Sequence, residues 1–346
     1  MSDPAVEEFE RHRLRVFGVA YRMLGSAEEA EDVVQDTFLR WHGAQRSTIG
    51  TPSAWLVKVA TNLCLNRLTS ARARREHYVG PWLPEPVLTA DGALGPLAAV
   101  EQRDMVSLAF LVLLERLTPT ERAVFVLREA FGYSHRDIAQ VLELSEANSR
   151  QLYRRARRSL AASDAATGTV ATADSRAAAD GTADDGTADD RVATDRAAAE
   201  RAGTGRHAAA EDRTRHRDLL DRFLVAARTG DLPALERLLA EDVVSWADGG
   251  GEVGAARRPI VGASRVARYL LGGLTGFGTD GRLLVAEVNG VPAVLAWRGP
   301  HLLGVLVPAA ADGAITAIRI IANPAKLRFA AAQAVGLSHP AGLSGS

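Results

Sequence analysis

The chain holds one cysteine, Cys64, and only two lysines, Lys58 and Lys326. A lone cysteine excludes an internal disulfide and any cysteine-based metal cluster. No apolar run reaches the length of a membrane span. The N-terminal stretch MSDPAVEEFERHRLR lacks the apolar centre of a secretion signal, so a cytoplasmic location is expected. Excess charge is also missing: the formal net charge is −1, and any hold on nucleic acid must come from local clusters. Among the first 160 residues the basic clusters lie at Arg67–Arg75 and Arg150–Arg158. Large apolar side chains are nearly absent from Ala161 to Arg215, where Val170 and Val192 are the only ones bigger than alanine. That stretch repeats Asp-Gly-Thr-Ala-Asp at 180–184 and 185–189. It cannot bury enough surface to offset chain entropy, and a disordered tether is expected over 162–215.

The stretch that is rich in signals is 118–160. Thr118-Pro119-Thr120-Glu121 is a helix start, with Thr as the cap, Pro at the first helical position and Glu three residues past the cap. Ser134 and Asp137 repeat the pattern, and Ser145 caps a third helix. In that helix Ser149, Tyr153, Ala156 and Leu160 share one face. Arg150, Gln151, Arg154, Arg155, Arg157 and Arg158 occupy the others. A tight two-helix turn beside five arginines suits the phosphates and base edges of duplex DNA.

Upstream, Ser26-Ala27-Glu28-Glu29 opens a helix whose Ala30, Val33, Val34, Thr37, Phe38 and Trp41 recur at helical spacing. Thr51-Pro52 opens a second long helix ending in Arg72, Arg74 and Arg75. Four prolines between 76 and 98 predict an extended linker, and Asp104–Leu117 predicts an apolar helix. Order is expected to return at His216. Two helices are followed by strands at 242–247, 283–288, 291–297, 301–307 and 314–321, and a short helix lies at 262–271. An Asn289-Gly290 turn joins the second and third strands. Helices followed by antiparallel strands predict an α+β cone.

In Tyr21–Trp41 and in 118–160 the chain resembles the extracytoplasmic-function sigma factors of RNA polymerase. It further resembles their subgroup with a fused SnoaL-like domain of the NTF2-like fold. Three motifs carry the second likeness: Trp82-Leu83-Pro84-Glu85-Pro86, Asp248-Gly249-Gly250-Gly251, and Asn323-Pro324-Ala325-Lys326-Leu327. Departures are Glu252 for a usual lysine, Ala325 for a usual acid, Ser149 for an aliphatic residue and Asn66 for a common aspartate. The likeness implies two all-α sigma domains, the second a helix-turn-helix, and a C-terminal α+β cone. The domains expected are sigma region 2 (5–76), linker (77–99), region 4 (100–161), tether (162–215), SnoaL-like domain (216–334) and a flexible tail (335–346).

The resemblance also implies partners and residues. Core polymerase, through its β and β′ subunits, would be met by Asp32, Gln35, Asp36, Phe38 and Leu39. The melted −10 strand would be met by loop 45–51 with Asn62, Asn66, Arg67, Arg72, Arg74 and Arg75. The −35 duplex would be met by Glu146, Asn148, Arg150, Gln151, Arg154, Arg155, Arg157 and Arg158. The WLPEP, DGGG and NPxKL residues would form a regulatory contact that stands in for a separate anti-sigma protein, across a tether spanning roughly 40 Å. No cofactor, metal or catalytic residue is implied, although Asp242, Asp248 and His301 are the acid and base candidates of the cone, and its ligand stays open. Two rival classes remain: a helix-turn-helix regulator with a ligand-binding cone, and an NTF2-like enzyme with a DNA-binding appendage. The docking helix at 21–41 favours the sigma class, because a repressor needs none.

Overall fold

The computed structural model of the chain describes residues 3–75, 78–89, 106–167, 214–275 and 281–335. The first unit is three helices. Helix α1 (Pro4–Leu24) is capped by Asp3 and stops at Gly25 in the left-handed region, φ +66°. Helix α2 (Ala27–His42) begins at Ser26, whose hydroxyl accepts from the Glu29 amide at 3.1 Å. Helix α3 (Pro52–Arg75) follows a short turn at Arg46–Thr48. Phe9, Tyr21, Val33, Trp41, Leu56 and Cys64 are buried between them.

The second unit opens with α4 (Leu108–Leu114), capped by Ser107. It is shorter than the helix expected over 104–117, because Glu115–Leu117 form a turn; residues 104 and 105 lie outside the described residues. Helices α5 (Pro119–Glu129) and α6 (His135–Leu142) both start with the predicted capping boxes. Glu143 ends α6 at φ +56°, and α7 (Glu146–Thr167) carries Ser149, Ala156 and Leu160 into the core, as the spacing predicts. This helix continues past the domain end expected at 161. The disordered tether expected over 162–215 is corrected at its ends, where 162–167 continue α7 and 214–215 begin the next helix. Its remainder, 168–213, and residues 336–346 of the expected tail lie outside the described residues.

The two helical units bury one continuous core, in which Val124 and Leu127 of α5 and Ile138 of α6 join residues of α1 and α3. Polar contacts reinforce it. The buried Arg122 donates to the Met23 carbonyl at 2.7 Å and pairs with Glu115 at 2.8 Å. Arg22 lies over the Phe131 ring, and Lys58 of α3 meets Glu143 at 3.1 Å.

The C-terminal unit comprises α8 (214–229), α9 (Leu232–Leu238), α10 (Ala263–Thr275), a six-stranded sheet and α11 (Pro324–Ala334). The strands are β1 (Leu239–Asp248), β2 (Ile260–Val261), β3 (Gly281–Val288), β4 (Val291–Arg298), β5 (His301–Ala311) and β6 (Ala314–Ile321), in the order β2-β1-β6-β5-β4-β3. The expected all-antiparallel run is corrected at one place. The first strand inserts beside the last and pairs with it in parallel, because the chain between them runs through α10 and the β3–β5 meander and not through a tight turn. Helices α8 to α10 cover one face through Leu220, Phe223, Leu235 and Val266 against Val243, Val294 and Ile318. The other face holds Leu295, Val305 and Ile321. It is covered by Leu327 and Ala330 of α11, by Leu83 and Leu88 of the linker, and by Leu108 of α4. The cone therefore touches both helical units and the segment between them.

Candidate functional site

The linker is gripped from three sides, and Asp248 is the centre of the grip. It ends β1, is fully buried, and accepts from Tyr78 Oη at 2.5 Å, the Leu83 amide at 2.8 Å and Lys326 Nζ at 2.6 Å. Lys326 also donates to the Leu83 carbonyl at 2.6 Å. Its ammonium lies 4.2 Å from the Trp82 ring centre and 4.7 Å from that of Tyr78. Asn323 caps α11 and donates to Tyr78 Oη at 2.7 Å. Burial, and then the bond to Asp248, push the Tyr78 phenol well above the ordinary tyrosine range, so it stays a donor. A buried charge is tolerated when paired and hydrogen-bonded throughout. Here the linker itself supplies part of that pairing, so the linker and the cone complete each other.

The three motifs expected in the regulatory contact thus meet in space. Leu83 bonds Asp248 and Lys326 and packs with Leu327, Trp82 lies under the Lys326 ammonium, and Gly250 abuts Asn323. Gly251 instead faces Val79, Pro84 and Glu85 turn to Gly25 and the start of α2, and Pro324 is exposed. Gly250 sits at φ +63°, and a Cβ there would stand 2.4 Å from Asn323 Nδ2. Both departures within these motifs fall on the surface: Glu252 and Ala325 are exposed. Tyr78 was not legible as part of the group; its position four residues before Trp82 in a proline-rich segment was the available signal.

Glu85 ties the linker to α2. Its carboxylate accepts from Ser26 Oγ at 2.8 Å and from the Ala27 and Glu28 amides at 2.8 and 3.1 Å, filling the anion-favouring start of the helix. Burial is the largest influence on its pKa and raises it, against those three donors. Along α2 the residues Glu28, Asp32, Gln35 and Leu39 are all exposed, and Leu39 keeps 66% of its surface open. Asp36 and Phe38 differ from expectation. Phe38 turns inward onto Phe9 at 5.0 Å, where apolar burial outweighs exposure. Asp36 is held by Arg67 at 2.7 Å, and Arg67 also reaches Asp32 at 3.7 Å and the Glu29 carbonyl at 2.8 Å. Arg67, expected on DNA, is therefore spent on the acidic helix, where two carboxylates and a carbonyl outcompete solvent. Asn66 is exposed and Asn62 half-buried. Arg72, Arg74 and Arg75 lie on the last turns of α3, and their side chains fall outside the described residues.

On α7 the residues Asn148, Arg150, Gln151, Arg154, Arg155, Arg157 and Arg158 are exposed, and Glu146 is half-buried and paired with Arg150. Ser149 is buried, and its Oγ lies 3.0 Å from His135 Nδ1, which explains a polar residue in an aliphatic position. Burial, with Arg128 and Arg150 nearby, lowers the His135 pKa.

Asp242, Asp248 and His301 are not brought together: Asp242 and His301 are exposed and Asp248 is locked in the linker contact. On the helix-covered side of the sheet Phe223 packs among aliphatic side chains such as Val243, Val266, Val294 and Ile318, and Ser245 of β1 is buried. Among the described residues no helix is long and apolar enough to cross a membrane.

Sigma-70 region 2 matches residues 9–74 and Sigma-70 region 4 matches 107–160. The extracytoplasmic-function sigma factor SigJ of Mycobacterium tuberculosis is 34% identical over 287 residues, covering 82% of this chain and 78% of SigJ. The chain belongs to the extracytoplasmic-function sigma factors. SigI of M. tuberculosis, described as a probable sigma factor of the same group, is 31% identical over 88% of both chains. The crystal structure of SigJ superposes with a TM-score of 0.65 at 30% identity, over 94% of this chain and 98% of that one. The sigma-factor helices thus have a known role: holding core RNA polymerase and promoter DNA. The likeness to SigJ extends through the C-terminal cone.

Proposed function

We propose that this sigma factor carries its regulator in cis, with the C-terminal cone taking the place of a separate anti-sigma protein. Asp32, Gln35 and Leu39, with Asp36 once released from Arg67, dock on the polymerase. Opposite charge would orient and speed that encounter. Loop 45–51 with Asn62 and Asn66 receives the melted −10 strand. Asn148, Arg150, Gln151 and Arg154 enter the major groove at −35, while Arg155, Arg157 and Arg158 bind phosphate.

One observation supports cis regulation above the rest. The buried Asp248–Lys326 pair closes on the linker backbone at Leu83, so each of the two charged groups loses a hydrogen-bond partner when the linker is released. Releasing the linker removes its Leu83 hydrogen bonds to these two charged groups, each worth on the order of 1.5–3 kcal/mol, enough to shift a closed–open equilibrium tenfold or more. Run-off transcription with purified core polymerase tests the reading. Lys326→Ala in the full chain is expected to change transcript yield several-fold against the parent, and equal yields would refute cis control.

A further inference from the structure

The Asn289-Gly290 turn between β3 and β4 does more than reverse the chain. Both residues lie at positive φ, +52° and +81°, the geometry of a two-residue hairpin turn. Asn289 is fully buried, and its amide leaves the cone entirely. Nδ2 donates to Tyr21 Oη of α1 at 2.6 Å and to the Val106 carbonyl, just ahead of α4, at 2.7 Å. Oδ1 accepts from the Val87 amide at 3.1 Å, while the Asn289 main-chain amide donates to the Val87 carbonyl at 2.9 Å. Beside it, the Gly290 amide donates to Thr89 Oγ1 at 2.9 Å and the Thr89 amide to the Glu287 carbonyl at 3.0 Å. Tyr21 Oη in turn donates to the Glu85 carbonyl at 2.6 Å.

One side chain therefore bonds region 2, the linker and the entrance of region 4. The connection between the two DNA-binding units leaves the turn at Thr89 and returns to it at Val106. Both ends of the connection are pinned at one place, and residues 90–105 contribute nothing to the reach of region 4 while it holds. Drawn out, those residues would span at most roughly 55 Å. The need for reach is real. The −10 and −35 elements lie about 25 base pairs apart, roughly 85 Å of duplex, whereas here the two units share one core.

We infer that the β3–β4 turn is a latch: Asn289 holds the two ends of the region 2–region 4 connection together and so, with the core the two units share, keeps the promoter-binding units close. The inference rests on the reading of the cone as a regulator in cis, and it places the control at a site separate from the Asp248–Lys326 contact. Asn289 is a positioning residue and touches no DNA. Its amide suits the task because it donates twice and accepts once without bringing charge into a buried joint.

The test uses the full chain with spin labels on cysteines introduced at Glu7 and Gln140, exposed positions in regions 2 and 4. Cys64 is buried and stays unlabelled. Asn289→Gly removes the amide yet keeps a residue at ease at positive φ. The parent is expected to give one short distance. Asn289→Gly is expected to raise the long-distance population roughly tenfold for the loss of its hydrogen bonds. Tyr21→Phe, which removes one partner, is expected to raise it less, and it decides the matter if the glycine variant does not fold. Arg328→Ala breaks an exposed cone–α2 pair with Glu28 and is expected to leave the distance unchanged. An unchanged distribution in Asn289→Gly and Tyr21→Phe overturns the latch; so does equal opening in Arg328→Ala, which would mean any loosening of the cone suffices. Run-off transcription on the same proteins separates the two ideas. Opening without a change in transcript sinks cis regulation and leaves the latch. A response to Lys326→Ala with Asn289→Gly still closed sinks the latch alone.

Discussion

Single residues in this chain acquire meaning from what they satisfy. Ser149 breaks the apolar face of the recognition helix, and the structure answers with His135, whose Nδ1 shares a hydrogen bond with the hydroxyl at 3.0 Å. Because burial and neighbouring arginines lower the His135 pKa below its ordinary 6.5, the folded state binds that proton less readily than the unfolded chain. The stability so contributed is whole above about pH 6.5 and is lost as pH falls toward the lowered value. Thermal melting of the chain is therefore expected to drop between pH 7 and 5.5, and His135→Gln should flatten part of that slope. Identical slopes in parent and variant would remove His135 from the account. The serine could be read from the sequence as an anomaly, but its partner could not. The two sit 14 residues apart on different helices, and only the packing angle brings them together.

At the level of elements, helix starts were the most legible feature. The boxes at Thr118–Glu121 and Ser134–Asp137 form as read, because capping is settled within four residues. The fate of the acidic helix α2 was only half legible. Its stripe of Glu28, Asp32, Gln35 and Leu39 faces outward as the period of 3.6 demands, yet Phe38 and Asp36 are claimed by neighbours a sequence does not display. Arg67 crossing from α3 makes a direct prediction for polymerase docking. Asp32→Arg is expected to lower affinity for core polymerase at least tenfold, the cost of reversing charge on the acidic stripe proposed to dock. Arg67→Ala, by freeing Asp36, is expected to leave affinity equal or higher. Pull-down with purified core polymerase checks both, and undiminished binding by Asp32→Arg would dismiss the α2 surface as the dock.

Across the whole molecule, the linker is the joint on which the parts depend. Every non-proline amide from Leu83 to Thr89 donates a hydrogen bond: to Asp248, Gly25, Asn289, Gln333 and Glu287 in turn. A segment with this little secondary structure would ordinarily exchange its amide protons fast. Here Leu83, Glu85, Val87, Leu88 and Thr89 are expected to exchange as slowly as the helix interiors, and to speed up when core polymerase is added. Rapid exchange in the free protein would mean the linker is not held. The order of parts along the chain was readable from composition and caps. The joint itself was readable only through the resemblance, which supplied its motifs, and incompletely even so. Tyr21, Tyr78 and Asn289 meet partners up to 268 residues away, and nothing periodic marks such residues.

The scarcity of lysine has a practical consequence. Lys58 is partly open and Lys326 is sealed between two aromatic rings. Of the two lysines, an amine-reactive reagent thus finds Lys58 on the intact molecule and gains Lys326 only when the cone lets go. Mass spectrometry of the peptide around Lys326 would read out activation in the native polypeptide, with no engineered dye or tag.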